Sequence, residues 1–187
     1  MGLAAPKLKR MTMELGGSDP VIVAPDADLK AAARGIAIGR FWNCGQMCLG
    51  GKRIYVFDEV YDELLEQLTR TVSKYEPGLG WEKAEKPSIR IGPLLPIWRV
   101  SDLDEAINLA NDSEYGLGAS VWTNDVRIIH RVANEVEAGM KWVNQFHYGY
   151  DELPFGGVKQ SGYGKEHGIE GLDYYLEDVP VVVGGLE

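Results

Sequence analysis

Along this chain, short contiguous apolar runs take turns with apolar residues spaced three and four apart, the pattern of strands alternating with amphipathic helices. Residues 11–15 form a short candidate strand, which Gly16-Gly17 breaks. Val21-Ile22-Val23 is a second, buried strand closed by Ala24-Pro25-Asp26. The Ala-rich segment Leu29–Phe41 predicts a helix capped by Asp26 or Asp28. Gly45 in Asn43-Cys44-Gly45-Gln46 is expected to end it, leaving Cys48 on the following loop. Residues 53–57, β-branched and aromatic, predict a strand. Val60, Leu64, Leu65, Leu68 and Val72 then line one face of a helix over 59–75.

Residues 76–93, rich in Pro and Gly, read as an atypical connector. Beyond it, strands are predicted at 94–100, 118–123 and 140–144, and helices over Leu103–Asn111 and 125–136. Ser101-Asp102-Leu103-Asp104-Glu105 resembles a capping box. This alternation predicts one α/β domain over 1–187 with a mostly parallel sheet. The Gly-rich stretch from Leu153 to Gly168 is expected to wrap the surface near a site. In the tail, 173–187, the run 179–183 predicts a terminal strand that needs a partner edge.

Length and charge narrow the function. A chain of 187 residues suits one well-buried domain. A net charge of −9 without a basic stripe disfavours nucleic acid, and none is expected as a partner. The apolar runs are too short for a bilayer, so no membrane is expected. No signal peptide is read at the start, and two cysteines alone argue against a disulfide scaffold; a cytoplasmic location is expected. His130, His147 and His167 stand at no zinc-ligand spacing from the cysteines, so no metal is expected.

Cys48 lies between Gly45-Gln46 and Gly50-Gly51, and Glu14 stands just before Gly16-Gly17. A thiol with a carboxylate suffices for covalent chemistry on a carbonyl, the first as nucleophile and the second as base. For Cys48 the competing reading is a buried apolar thiol; for Glu14, a solvated surface carboxylate. Cys44 is assigned to packing. Asn144 is either a strand-ending turn residue or an amide that positions a loop near the site. Phe155 is either part of a plain turn or a pocket wall. Residues 159–171 fit no phosphate-binding fingerprint.

Four segments resemble aldehyde dehydrogenases, in that family's order. They are Glu14-Leu15-Gly16-Gly17-Ser18-Asp19-Pro20; Gly45-Gln46-Met47-Cys48 with Arg53 beyond; Asn111-Asp112-Ser113-Glu114-Tyr115-Gly116-Leu117; and 153–162, opening Leu153-Pro154-Phe155-Gly156-Gly157. The resemblance implies a Rossmann-like layered catalytic domain that oxidises a small aldehyde to a carboxylic acid with NAD or NADP. Cys48 would form the thiohemiacetal, a hydride would leave for NAD(P)+, and Glu14 would activate the water that releases the acid. Phe155 and Asn144 would belong to the substrate pocket, Leu15 and Gly16 to a slight cofactor contact. A homo-oligomer joined through the tail is also implied.

The chain departs from the family too. The family's Gly-Ser-Thr dinucleotide turn, ribose-binding Lys and oxyanion-hole Asn have no counterpart. A stretch before Gly92-Pro93 is also missing, and Ile89 and Ile91 stand where the family has a ribose-binding Glu and an aromatic. The expectation is weak or absent dehydrogenase turnover by this chain alone. Two readings compete with a dehydrogenase completed by a separate cofactor-binding chain: a cofactor-free thiol esterase and a non-catalytic oligomerising module.

Overall fold

The computed structural model describes residues 1–75 and 95–184. The connector at 76–93, with Ile89 and Ile91, and the last three residues lie outside the described residues. The strands are β1 (Met13–Glu14), β2 (Asp19–Val23), β3 (Gly51–Phe57), β4 (Ile97–Val100), β5 (Tyr115–Gly116), β6 (Gly118–Trp122), β7 (Met140–Val143), β8 (Val158–Lys159) and β9 (Gly162–Tyr163). The helices are α1 (Leu29–Phe41), α2 (Tyr61–Val72), α3 (Leu103–Asn111), α4 (Val126–Glu135) and α5 (Gly168–Leu172).

Five strands form one sheet in the order β4-β3-β2-β6-β7, every neighbouring pair parallel. This is the doubly wound arrangement, with the strand order reversing between β2 and β6. Parallel neighbours need crossover helices, and right-handed crossovers put α1 and α2 on one face and α3 and α4 on the other. The central strands β2 and β6 are buried along their whole length, in keeping with sequences that are largely apolar apart from Asp19 and Ser120. The core joins Ile22, Ile54, Val56 and Val121 to Ala32, Ile36, Leu64 and Leu68 from one helical layer and Ala106 and Val132 from the other. Gly35 lets α1 approach: a Cβ there would stand 2.4 Å from the Trp122 indole.

Asp28 caps α1 by accepting from Ala31 N, Asp102 caps α3 through Glu105 N, and Asp125 caps α4 through Arg127 N. Glu105 reaches back to the Ser101 N–H and hydroxyl, a capping box displaced by one residue. Asp26, the other candidate cap, instead binds the Thr123 hydroxyl and Asn124 N, joining the ends of β2 and β6.

Three expectations need correction. The helix α1 has the expected bounds, Leu29–Phe41, but Gly45 is not what ends it: Asn43 and Cys44 adopt left-handed backbone at φ 49° and 58°. The helix expected over 59–75 is shorter, since 58–60 forms a 3-10 turn. The strand expected at 179–183 does not form: a lone strand has no ladder partner, and Val182 is 91% exposed.

Candidate active site

β2 and β3 start side by side, with Asp19 opposite Gly51 and Pro20 opposite Arg53. The segments leading into them, 14–18 and 48–50, therefore meet at the amino end of the sheet. Arg53 fixes this junction: its Nε donates to Ser18 O at 2.9 Å, and its guanidinium also binds Leu109 O and Ala110 O at 2.8 and 2.9 Å. Lys52 donates to Gly17 O. The Gly17 turn lies against the Cys48 backbone, since a Cβ at Gly17 would come within 3.0 Å of Cys48 O.

Two short antiparallel ladders bring the C-terminal motifs to the same place. β1 pairs with β9, placing Glu14 opposite Gly162, and β5 pairs with β8. Leu15 N donates to Ser161 O at 3.0 Å, while the buried Ser161 hydroxyl accepts from Gly116 N at 3.0 Å. Gly162 has φ 151° and leaves no room for a side chain, because a Cβ would stand 2.1 Å from Met13 O. The four sequence motifs thus converge on one strand end.

There the Cys48 thiol and the Glu14 carboxyl are neighbours, close enough for each to act on the other's charge. Glu14 Oε1 is buried without a hydrogen-bond partner. Burial pushes the Glu14 carboxyl above the usual carboxylate range, helped by the negative charges of Glu166 and Asp19. Burial also raises the Cys48 thiol, and Glu14 adds to the effect. Backbone N–H groups of Leu49 and Cys48 point at the sulfur and oppose it. The result is a proton-bearing thiol beside an acceptor of raised basicity.

The other expected site residues fall elsewhere. Asn144 is a correction: it is exposed, and its amide is taken up by the Thr123 backbone, with bonds of 2.9 and 2.8 Å that tie the ends of β6 and β7. Phe155 does line a cleft of about 260 Å³, but with Met140, Trp142, Tyr148, Tyr150 and Leu153, beside β7; Cys48 and Glu14 are not in its wall. Cys44 is exposed rather than packed. Leu15 and Gly16 form an open rim next to Glu14, and a Cβ on Gly16 would touch nothing.

Sequence reasoning missed the buried pair of Asp19 and His147, whose Nδ1 and Oδ2 stand 3.0 Å apart, and the nearby cation Lys52. An acidic residue opening an apolar strand was the signal for Asp19; nothing local marked His147.

A sequence model described as the aldehyde dehydrogenase family matches residues 1–87 and 90–181. The chain belongs to the aldehyde dehydrogenase family. It is 32% identical over 234 residues to a phenylacetaldehyde dehydrogenase of Pseudomonas fluorescens, covering 94% of this chain and 47% of that protein. It is 33% identical to an NADP+ succinate-semialdehyde dehydrogenase of Deinococcus radiodurans, with 91% and 47% covered. Among solved structures, the NAD+ complex of a Bacillus cereus aldehyde dehydrogenase superposes with a TM-score of 0.84 at 29% identity, over 95% of this chain and 48% of that one. This aldehyde dehydrogenase chain spans about half the length of the curated relatives it matches. The break in the family match at 88–89 falls inside the expected connector.

The described residues do not fit a dinucleotide. A pyrophosphate needs a free helix N-terminus approached by glycines. Here α1, α3 and α4 carry aspartate caps that each accept one terminal N–H and place a negative charge where a phosphate would sit, and α2 opens with Asp62 and Glu63. At the strand reversal, where doubly wound folds bind such ligands, Asp26, Thr123 and Asn124 fill the crevice with their own hydrogen bonds.

Proposed function

We propose that this chain is the catalytic half of an NAD(P)-dependent aldehyde dehydrogenase, with Cys48 as nucleophile and Glu14 as its base. The observation that carries the reading is the convergence of the segments bearing Cys48 and Glu14, which leaves one Glu14 oxygen buried and unpartnered beside the thiol. Glu14 takes the thiol proton, and the Cys48 and Leu49 N–H groups support the resulting thiolate. The thiolate adds to the carbonyl carbon of an aldehyde, forming a carbon–sulfur bond and a thiohemiacetal. With an activated ester, collapse expels the alkoxide, which takes up the proton held by Glu14, and leaves an acyl thioester with Glu14 free to act again as base. Water that gives its proton to Glu14 then releases the acid.

The dinucleotide of the family is held, in this reading, by residues outside this chain. The substrate is a small aldehyde; the relatives named for phenylacetaldehyde and succinate semialdehyde support that class. Two free thiols suit a reducing, cytoplasmic setting. The assembly is a homo-oligomer, joined through the exposed tail. A second reading, a cofactor-free thiol esterase, is favoured by the aspartate-capped helices, which leave the covalent half of the chemistry as what this chain can do by itself.

p-Nitrophenyl acetate tests the nucleophile. A burst of p-nitrophenol is expected from the native chain and from Cys44→Ser, and none from Cys48→Ser. No burst from the native chain would remove the catalytic reading and leave a non-catalytic module. Steady NAD(P)H formation from an aldehyde by this chain alone would overturn the placing of the cofactor elsewhere.

A further inference from the structure

We infer that Asp19, seated by His147 beneath the Gly17 turn, is a positioning residue that adds to the bias of the Cys48–Glu14 pair against negative charge. The inference rests on the reading of that pair as the reacting groups. Asp19 is 1% exposed and His147 6%, and the imidazole stacks on Trp142 with centroids 4.6 Å apart. One carboxylate oxygen faces His147 Nδ1 at 3.0 Å; the other, Oδ1, is buried and unpartnered. Two glycines make space for the group. A Cβ at Gly118 would stand 2.5 Å from Oδ2, and one at Gly17 would stand 2.7 Å from Oδ1. The same Gly17 position is in contact with Cys48 O, so the carboxylate sits directly beneath the turn that joins thiol and base.

A buried carboxylate with an unsatisfied oxygen acts through a poorly screened interior, where its field reaches further than at the surface. It disfavours negative charge on both Cys48 and Glu14. Glu166 works in the same direction on Glu14. Lys52, from β3, feels both Asp19 and Cys48 and opposes them, with Arg40 of α1 beside it. The balance keeps the resting thiol protonated, and a protonated thiol resists oxidation and stray electrophiles. Deprotonation is then deferred until a carbonyl lies in place to accept the sulfur.

The test uses the full chain in a Cys44→Ser background, so that Cys48 is the single thiol. Its alkylation by iodoacetamide is followed against pH, with circular dichroism to verify the fold. Asp19→Asn keeps the shape and an acceptor for His147 but removes the charge, and Asp19→Ser removes the charge with less bulk. In each folded variant the alkylation midpoint is expected to fall by about one pH unit. An unchanged midpoint would overturn the inference. So would loss of the fold in both variants, because Asp19 would then serve the fold alone. Alkylation depends on neither the ester burst nor hydride transfer. A chain with no burst but a lowered midpoint would therefore sink the enzymatic reading and leave this electrostatic one standing.

Discussion

At Glu14, burial and the charge of Glu166 both favour the protonated acid, and this separates two roles the residue could have. If it were only a neighbouring charge, removing it would free the thiolate and speed every reaction of Cys48. If it is the base, the same change also removes the proton acceptor. Glu14→Gln is therefore expected to lower the alkylation midpoint of Cys48 while slowing the p-nitrophenol burst by about 10²-fold or more. A faster burst would assign Glu14 to electrostatics alone. Stability should move as well. The raised carboxyl pKa gives stability that is present below the usual carboxylate range and is lost as pH rises through the folded value, so Glu14→Gln should melt higher than the native chain at neutral pH. Cys48 and Glu14 were legible because glycines flank each of them. The partners that tune them were not: Asp19 and His147 are 128 positions apart, and no local pattern encodes that meeting.

The longer helices announced themselves, since an apolar stripe and an aspartate cap are local features; α1, α3 and α4 all open on such a cap. Of the two-residue strands, β1 fell within the strand expected at 11–15, whereas β5, β8 and β9 and all the ladder pairings were not legible, because a period of two cannot be read from two residues. Yet β1 with β9 is what holds Glu14 against the site, and the ladder depends on Gly162. Its φ of 151° and the 2.1 Å approach to Met13 O make alanine there both strained and crowded. Gly162→Ala is expected to cost about 2 kcal/mol and to lower the melting temperature by roughly 5 °C. The burst should fall further than Cys48 alkylation, since the base is displaced while the thiol loop stays seated by Arg53 and Lys52. Equal losses in burst and alkylation would show that the ladder supports the whole site rather than Glu14.

At the scale of the molecule, alternation of strand and helix was enough for a parallel sheet, but not for the end of it that bears the site. Doubly wound sheets place ligands at the carboxyl ends of their strands; here those ends are closed by Asp26 and Asn144, and the proposed pair, Cys48 and Glu14, sits at the opposite end. An expected strand at 179–183 failed for a related reason, since ladder partners are a property of the assembly and not of the segment. Both outer strands of the sheet, β4 and β7, keep a free edge among the described residues. On β7 the guarding lysine is turned aside, with Lys141 Nζ bound to Ala133 O at 2.6 Å. The valine-rich tail supplies exposed apolar strand-forming residues that take part in no ladder among the described residues. A second copy offers the missing edge, while the net charge of −9 opposes the approach until salt screens it. Light scattering is accordingly expected to show a mass above that of one chain, rising with ionic strength. Replacing Val181 and Val183 by Lys should return the single-chain mass without changing the ester burst. If the mass is the same with and without those valines, the tail is not the joint, and the apolar cleft beside β7 becomes the surface to mutate next.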